Sequence, residues 1–296
     1  MKLQKVGLLS PGDMGHTVGR VLVEHGMPVL TCLEGRSERT RRLAQEAGIE
    51  EIPTYEQLVR DTDVILSILV PANAESTAIT VARALKATGR QVVYVDCNAI
   101  APETVRKLSE IIKGAGSPFV DVGIIGPPPT KEGVTRFYAS GEDASEFKRL
   151  SEYGLDVRVI GTEVGQASGL KMMYGALTKG SFALEIALLV GAYRMGLYEE
   201  LVKEFQLSQA ERYASMERAL LTVPYRARRW IGEMQEIART FEDLKLTLKF
   251  HQGAEDVYRL ISKTSLADET PETLDKSRTL SQMIEILKEM DVDRQR

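Results

Sequence analysis

The sequence predicts an α/β domain built on a doubly wound sheet, followed by an all-α C-terminal domain. Three observations carry this. Over the first 130 residues short β-branched runs alternate with amphipathic runs; no proline lies between Thr130 and Val223; and from Gly165 onward the chain is rich in Leu, Ala, Met, Glu, Lys and Arg at a period near 3.6. A length of 296 residues suits two domains. The boundary is expected near Gly161–Gly165, separating residues 1–163 from 164–296.

Strands are expected at Lys5–Leu9, Pro28–Leu33, Asp63–Leu69, Gln91–Asp96, Phe119–Gly123, Thr135–Ser140 and Asp156–Ile160. Between them, Met14–His25 and Arg39–Ala47 read as helices, closed by Gly26 and Gly48, where a left-handed residue ends a helix. Apolar strands separated by helices imply a parallel sheet covered on both faces, joined by right-handed crossovers. The tail from Asp291 to Arg296 is charged and is expected to fray.

Composition narrows the function. The chain is 43% hydrophobic and 27% charged, with a net charge of −4 from 38 basic and 42 acidic side chains. That balance offers no general field for nucleic acid. Two cysteines, Cys32 and Cys97, make no disulfide framework, and three histidines without a Cys/His cluster argue against a zinc site, so no metal is expected. The most apolar stretch, Gly180–Gly196, is interrupted by Glu185 and Arg194, too soon for a membrane span. The first strand follows Met1-Lys2-Leu3-Gln4-Lys5 without a secretory signal, and a cytoplasmic protein is expected.

The first strand runs into Ser10-Pro11-Gly12-Asp13-Met14-Gly15, and a helix follows. A dinucleotide fingerprint uses three glycines: for a tight turn, for close approach to the pyrophosphate, and for helix–strand packing. Gly12 and Gly15 supply the second and third, Ser10 stands at the first, and the helix N-terminus offers N–H groups to phosphate. Placed between the first strand and the first helix of an alternating chain, it reads as the loop of a Rossmann-like fold, the alternative being an ordinary strand–helix turn. About 20 residues on, where such a fold reads the adenosine ribose, the chain has Glu34, Arg36, Ser37 and Arg39. Glu34 alone would grip a ribose hydroxyl and favour NAD. Two guanidiniums and a hydroxyl favour a 2′-phosphate, and NADP is the expected cofactor, with NAD as the alternative. Arg41 and Arg42 read as the solvated face of the next helix.

The long helix of Gly165–Gly196 is apolar nearly all round, yet carries Lys171, Tyr174, Thr178, Lys179 and Glu185. At about 100° per residue, Tyr174, Thr178 and Glu185 fall within about 60° of Lys171 and Lys179 within about 80°. A buried ammonium needs a partner, so this stripe faces a cleft, a ligand or compensating charge, or else Lys171 snorkels to the surface. A desolvated lysine suits proton transfer near neutrality, with Tyr174 as helper. Asn98, just past the fifth strand, either meets a ligand at the carboxyl edge of the sheet or simply forms a turn. Gly126-Pro127-Pro128-Pro129 makes a stiff wall with few N–H donors. Arg226-Ala227-Arg228-Arg229-Trp230 opens a further helix, whose Trp230, Ile231, Met234, Ile237 and Ala238 form a core face. Glu233 on it either lines the site or pairs with a basic side chain. His16 reads as first-turn helix and His251 as a packing or surface residue.

Taken together these segments resemble the β-hydroxyacid dehydrogenase family, relatives of 6-phosphogluconate dehydrogenase. Gly12-Asp13-Met14-Gly15 is similar to its Gly-x-Met-Gly loop, Arg36-Ser37 to its Asn-Arg-Thr segment, and Ser67-Ile68-Leu69-Val70-Pro71 to its fourth strand and following proline. Asp96-Cys97-Asn98-Ala99-Ile100-Ala101-Pro102 resembles its fifth-strand motif, and Gly165 through Lys171 the motif ending in its catalytic lysine. Departures mark an atypical branch with its own C-terminal domain: Ile125-Gly126-Pro127 replaces a Ser-Gly-Gly loop, Tyr174 and Gly175 replace two asparagines, and Trp230-Ile231-Gly232-Glu233 lies where a Lys-Asp-Leu segment is usual.

The resemblance implies an oxidoreductase of the CH–OH class, transferring hydride between NADP and a small hydroxy or keto acid. Lys171 and Tyr174 are then catalytic. Ser10 to Gly15, Arg36, Ser37, Arg39, Val70, Pro71 and Asn98 meet the cofactor; Asn98, Ile125, Gly126, Pro127, Thr178 and Glu233 meet the substrate, in a cleft between the domains. A homodimer burying the greasy helix is expected. The alternatives are C=N reduction, as in imine reductases, and a non-catalytic NADP-binding protein.

Overall fold

A computed structural model of the protein describes residues 3–131 and 133–289; the charged tail from Asp291 lies outside the described residues. The chain divides into two compact units, Met1–Met173 and Tyr174–Arg296. The first unit opens with β1 (Val6–Leu9), α1 (Gly15–Glu24), β2 (Val29–Cys32), α2 (Glu38–Glu46), β3 (Glu50–Ile52), α3 (Tyr55–Asp61) and β4 (Val64–Ser67). A 3-10 turn at Pro71–Asn73 leads into α4 (Ala74–Thr88), then β5 (Val93–Asp96), α5 (Pro102–Lys113), β6 (Phe119–Ile125), β7 (Arg136–Ser140), α6 (Ala144–Lys148) and β8 (Asp156–Gly161).

Local chemistry sets the helix ends. Ser37 caps α2 by accepting the Thr40 N–H, Thr54 caps α3 by accepting that of Gln57, and Pro102 occupies the first turn of α5, where its missing donor costs nothing. Gly26 and Gly48 follow α1 and α2 at φ 83° and 69°, the left-handed closures expected of them.

The eight strands form one sheet in the order β3-β2-β1-β4-β5-β6-β7-β8. The pairs are parallel except β6–β7, which is antiparallel. The all-parallel sheet is thereby corrected. The connection from Ile125 to Arg136 holds three prolines and, among the described residues, no helix, and without a crossover helix the chain returns antiparallel. Strand β3 is an addition: only three residues long, with Glu50 and Glu51 exposed, it lacks the apolar run that marks the other strands. The order reverses around β1, which pairs with both β2 and β4, and the carboxyl edge at such a reversal is where doubly wound sheets take their ligands.

Both faces are covered. On one, Val6, Leu8, Val64, Leu66, Val95 and Val120 pack with Val18 and Leu22 of α1. On the other, Leu9, Leu30, Ile65, Tyr94 and Phe119 pack with Val81 and Leu85 of α4 and with Val105, Leu108 and Ile112 of α5. Each such fully buried aliphatic side chain contributes about 1.5–3 kcal/mol of transfer free energy.

Helix α7 (Gln166–Arg194) continues across the division into the second unit, followed by α8 (Tyr198–Ser208), α9 (Ala210–Ala219), α10 (Ala227–Asp243), α11 (Lys249–Ile261) and α12 (Leu280–Leu287). Within this unit Trp230 is the hub: it stacks on Phe182 at 6.1 Å between ring centroids and meets Tyr258 edge-on at 5.3 Å. Met234 and Ile237 of α10, Ile261 of α11, and Met283 and Leu287 of α12 are fully buried in the same unit. Thr279 and Gln282 form a capping box that starts α12. By length and composition alone α7 is long and apolar enough to cross a membrane, with a mean hydropathy of 1.3 in its most apolar window. Here Met172, Ala183, Ile186 and Leu189 on it are buried in protein, and its Lys179 carbonyl accepts the Tyr258 hydroxyl at 2.5 Å.

Candidate active site

At the carboxyl edge of β1 the chain makes the turn that a pyrophosphate needs. Ser10 adopts φ 61°, a left-handed conformation at the place where the fingerprint has its first glycine. Its carbonyl accepts the Gly12 N–H at 2.7 Å and lies 2.6 Å from where a Cβ on Gly15 would sit, so Gly15 admits no side chain. Among the described residues nothing comes within 4 Å of a Cβ built on Gly12, which leaves the loop open on the ligand side. The tight turn, the open Gly12 and the N-terminus of α1 fit a dinucleotide. At the end of β2, Arg36 is half-buried beside the Tyr55 phenol, Ser37 caps α2, and Arg39 pairs with Asp13 of the phosphate loop at 2.7 Å.

Asn98 stands past β5 as expected but its amide is committed within the protein. Nδ2 donates to Asp96 Oδ2 at 2.7 Å and to Ser67 Oγ at 3.1 Å, while Oδ1 accepts the Leu69 N–H at 2.6 Å. Asn98 thereby ties the end of β5 to the segment carrying Val70 and Pro71, and Val70 is 40% exposed there.

Below it Asp96 is fully buried. Burial pushes its carboxyl up to about 7; hydrogen bonds from Asn98 pull it down, and Asp121, its register partner on β6, pushes it further up. The folded protein therefore holds a proton that the unfolded chain releases near pH 4. Stability from this site is full below about pH 4 and is lost as pH rises through about 7, at no more than about 1.4 kcal/mol per pH unit. Denaturant midpoints between about pH 4.5 and 7 are expected to fall in the wild type, and the fall is expected to be shallower in Asp96→Asn, which removes the share of this one carboxyl.

Asp121 fixes the start of α7. Its Oδ2 accepts the Gly165 N–H at 2.8 Å, the Ser168 N–H at 3.1 Å and the Ser140 hydroxyl at 3.1 Å, and Oδ1 accepts the Ser168 hydroxyl at 2.6 Å. Ser140 Oγ in turn accepts the Ala167 N–H at 3.0 Å. A negative group at a helix N-terminus satisfies orphan donors and opposes the macrodipole. Burial raises the carboxyl above its usual range, against the pull of these donors. Gly123 completes the arrangement: a Cβ there would lie 2.6 Å from the Ala167 carbonyl and 3.1 Å from Lys171 Cβ, so only glycine lets α7 lie directly on β6.

Lys171 is thus placed one turn into a clamped helix. It is half-buried, and its Nζ donates to the Ile124 carbonyl at 2.6 Å, immediately before Ile125-Gly126-Pro127. Gly126 takes φ 125°, and a Cβ on it would fall 2.1 Å from the Val134 carbonyl, so the turn of this loop is also closed to larger residues. Because β1 and β6 both run parallel within the sheet, the phosphate loop and the Lys171 amine share its carboxyl edge.

Residues 5–153 match the NAD-binding domain of 6-phosphogluconate dehydrogenase. The chain belongs to the 6-phosphogluconate dehydrogenase-like β-hydroxyacid dehydrogenase family. Residues 192–261 match a domain of unknown function, DUF1932, which makes this member an atypical branch with its own C-terminal domain. A conserved protein of unknown function whose structure is similar to 3-hydroxyacid dehydrogenases is 31% identical, with a TM-score of 0.65 over 87% of this chain and 96% of that one. The fold is also that of the 3-hydroxyisobutyrate dehydrogenase of Mycobacterium tuberculosis (15% identity, TM-score 0.68, 90% of this chain and 96% of that one). An NADP⁺ complex of an imine reductase from Myxococcus stipitatus shares it as well (17% identity, TM-score 0.54, 96% and 99%).

In this β-hydroxyacid dehydrogenase family member the remaining expected residues lie in the second unit. Tyr174 is 45% exposed, one turn past Lys171 on α7. The Thr178 hydroxyl bonds back to the Tyr174 carbonyl at 3.1 Å. Glu233 is buried against Lys179 at 2.9 Å and Arg229 at 3.2 Å, the ion pairs that the sequence allowed it. Gly175 accommodates Lys179: a Cβ at 175 would sit 3.4 Å from its Nζ. Reading the sequence missed Asp121, Ser140, Ser168 and Gly123. The signal was present in Asp121, a charge inside the otherwise apolar run Phe119–Ile125.

Proposed function

We propose that the protein is an NADP-dependent oxidoreductase acting between a small hydroxy acid and the corresponding keto acid, with Lys171 as general acid/base. The observation that supports this most is the Lys171 amine, clamped through α7 and Asp121 at the same sheet edge as the phosphate loop. Ser10 to Gly15 would hold the pyrophosphate, and Arg36, Ser37 and Arg39 the adenosine end; Glu34 keeps NAD as the alternative. A bound nicotinamide dinucleotide supplies the hydride chemistry. Lys171 removes the substrate hydroxyl proton in one direction and returns it in the other. Ile125, Gly126 and Pro127 flank it, and the proline without an N–H gives the loop fewer donors to an anionic group than a glycine loop has.

Tyr174 favours a second reading, C=N reduction, because a phenol one turn beyond the lysine is a proton donor of the kind an imine needs. Cofactor-linked absorbance with a hydroxy-acid panel and a cyclic-imine panel separates the two. Turnover of hydroxy acids is expected; turnover of imines alone replaces the first reading by the second, and tight NADP binding with neither leaves a binding protein.

A homodimer is also proposed. Leu170, Leu177 and Leu184 recur every seven residues on α7 and are 38%, 71% and 60% exposed, the repeat by which a helix packs on a copy of itself. Light scattering is expected to give twice the chain mass of 32.8 kDa, and Leu177→Glu to give monomer; a monomeric wild type overturns the proposal.

A further inference from the structure

The ion pair between Asp13 and Arg39 is unusual in its position. Asp13 lies inside the phosphate loop, and Arg39 is the second residue of α2, at the end of the strand where the adenosine ribose is read. Asp13 Oδ1 accepts from the Arg39 guanidinium at 2.7 Å, with the two side chains 35% and 33% exposed, so the pair is neither buried nor freely solvated. Ser37 meanwhile spends its hydroxyl as the cap of α2, 3.3 Å from the Thr40 N–H, and Arg36 lies against Tyr55. The cationic group placed to meet a 2′-phosphate through α2 is thus already matched by a carboxylate of the same site.

We infer that Asp13 sets the cofactor preference by competing with the 2′-phosphate for the Arg39 guanidinium, which holds affinity for NADP down towards that for NAD. The inference rests on the reading of this loop as the dinucleotide site. A 2′-phosphate brings close to two negative charges beside Arg39; with Asp13 in place it must displace one carboxylate contact and accept a like charge nearby. NAD carries a hydroxyl there and meets neither cost. Because the pair is partly screened, the effect is moderate rather than absolute.

Calorimetric titration of the full chain with 2′,5′-ADP and with 5′-AMP tests this without turnover, since the ratio of the two affinities isolates the 2′-phosphate. In Asp13→Asn that ratio is expected to rise about five- to tenfold. In Arg39→Ala the same Asp13→Asn change is expected to raise the ratio much less, about twofold at most, because the guanidinium competed for is gone and only the like charge is relieved. An unchanged or lowered ratio in Asp13→Asn, or a gain of the same size without Arg39, overturns the inference while leaving the dinucleotide site standing. A wild type that binds neither these probes nor NAD or NADP overturns the site itself and the inference with it.

Discussion

Lys171→Ala is expected to lower turnover by roughly 10²–10⁴-fold, the usual contribution of a positioned acid or base. NADP affinity is expected to stay within about threefold of wild type, since the phosphate loop is formed by other residues. The expectation follows from geometry. The Nζ sits 2.6 Å from the Ile124 carbonyl, at the rim where the loop Ile125-Gly126-Pro127 begins. Lys171→Arg keeps the charge but carries a guanidinium that does not release its proton, and it is expected to be nearly as inactive as alanine. Steady-state kinetics paired with cofactor titration make the check. A variant that keeps full turnover removes the lysine from the chemistry, and one that loses cofactor binding in step with turnover shows a loss of structure instead.

Asp121→Ala is expected to cost about 3–5 kcal/mol of stability, comparable to losing one partner of a buried charged network. The carboxylate accepts the backbone N–H groups of Gly165 and Ser168 and the hydroxyls of Ser140 and Ser168. Without it these donors are buried with nothing to accept them, at about 1–3 kcal/mol each before relaxation. Relief of the carboxyl's own burial returns part of that cost, which is why the sum is not the simple total. Asp121→Asn retains one acceptor oxygen and is expected to lose about half as much. Chemical denaturation at pH 7 measures both. A loss below about 1 kcal/mol for alanine would show that α7 is held by packing over Gly123 and not by its cap.

The two losses differ in kind, and that difference reflects how each residue could be read. Lys171 stands out as a cation on a greasy helix, a conflict that sequence alone exposes. Asp121 conflicts in the same way with Phe119, Val120, Val122 and Ile124 around it, but its partners lie 19 to 47 residues away in the chain, so no local pattern names them. Asn98 is the converse case. Its place at the carboxyl edge is a matter of chain order, whereas the commitment of its amide to Asp96, Ser67 and Leu69 depends on β4 and β5 lying side by side.

The alternation of β-branched and amphipathic runs determined seven of the eight strands and the turn after β1 by itself, because side-chain period and glycine stereochemistry act within a few residues of each other, whereas the short, exposed β3 left no such pattern. The same holds for the helical second half. Three things belonged to the tertiary structure. The antiparallel return of β7 arises from a connection too short for a crossover helix. The hydrogen bonds of Asn98 to Ser67 and Leu69, and the ion pair of Glu233 with Lys179, depend on the packing of strands and helices remote in the chain. The pairing of Asp13 with Arg39 brings together residues 26 apart across a βαβ unit. In each case the deciding term was a contact between segments remote in the chain, which depends on how elements pack rather than on the neighbours any one residue has in sequence.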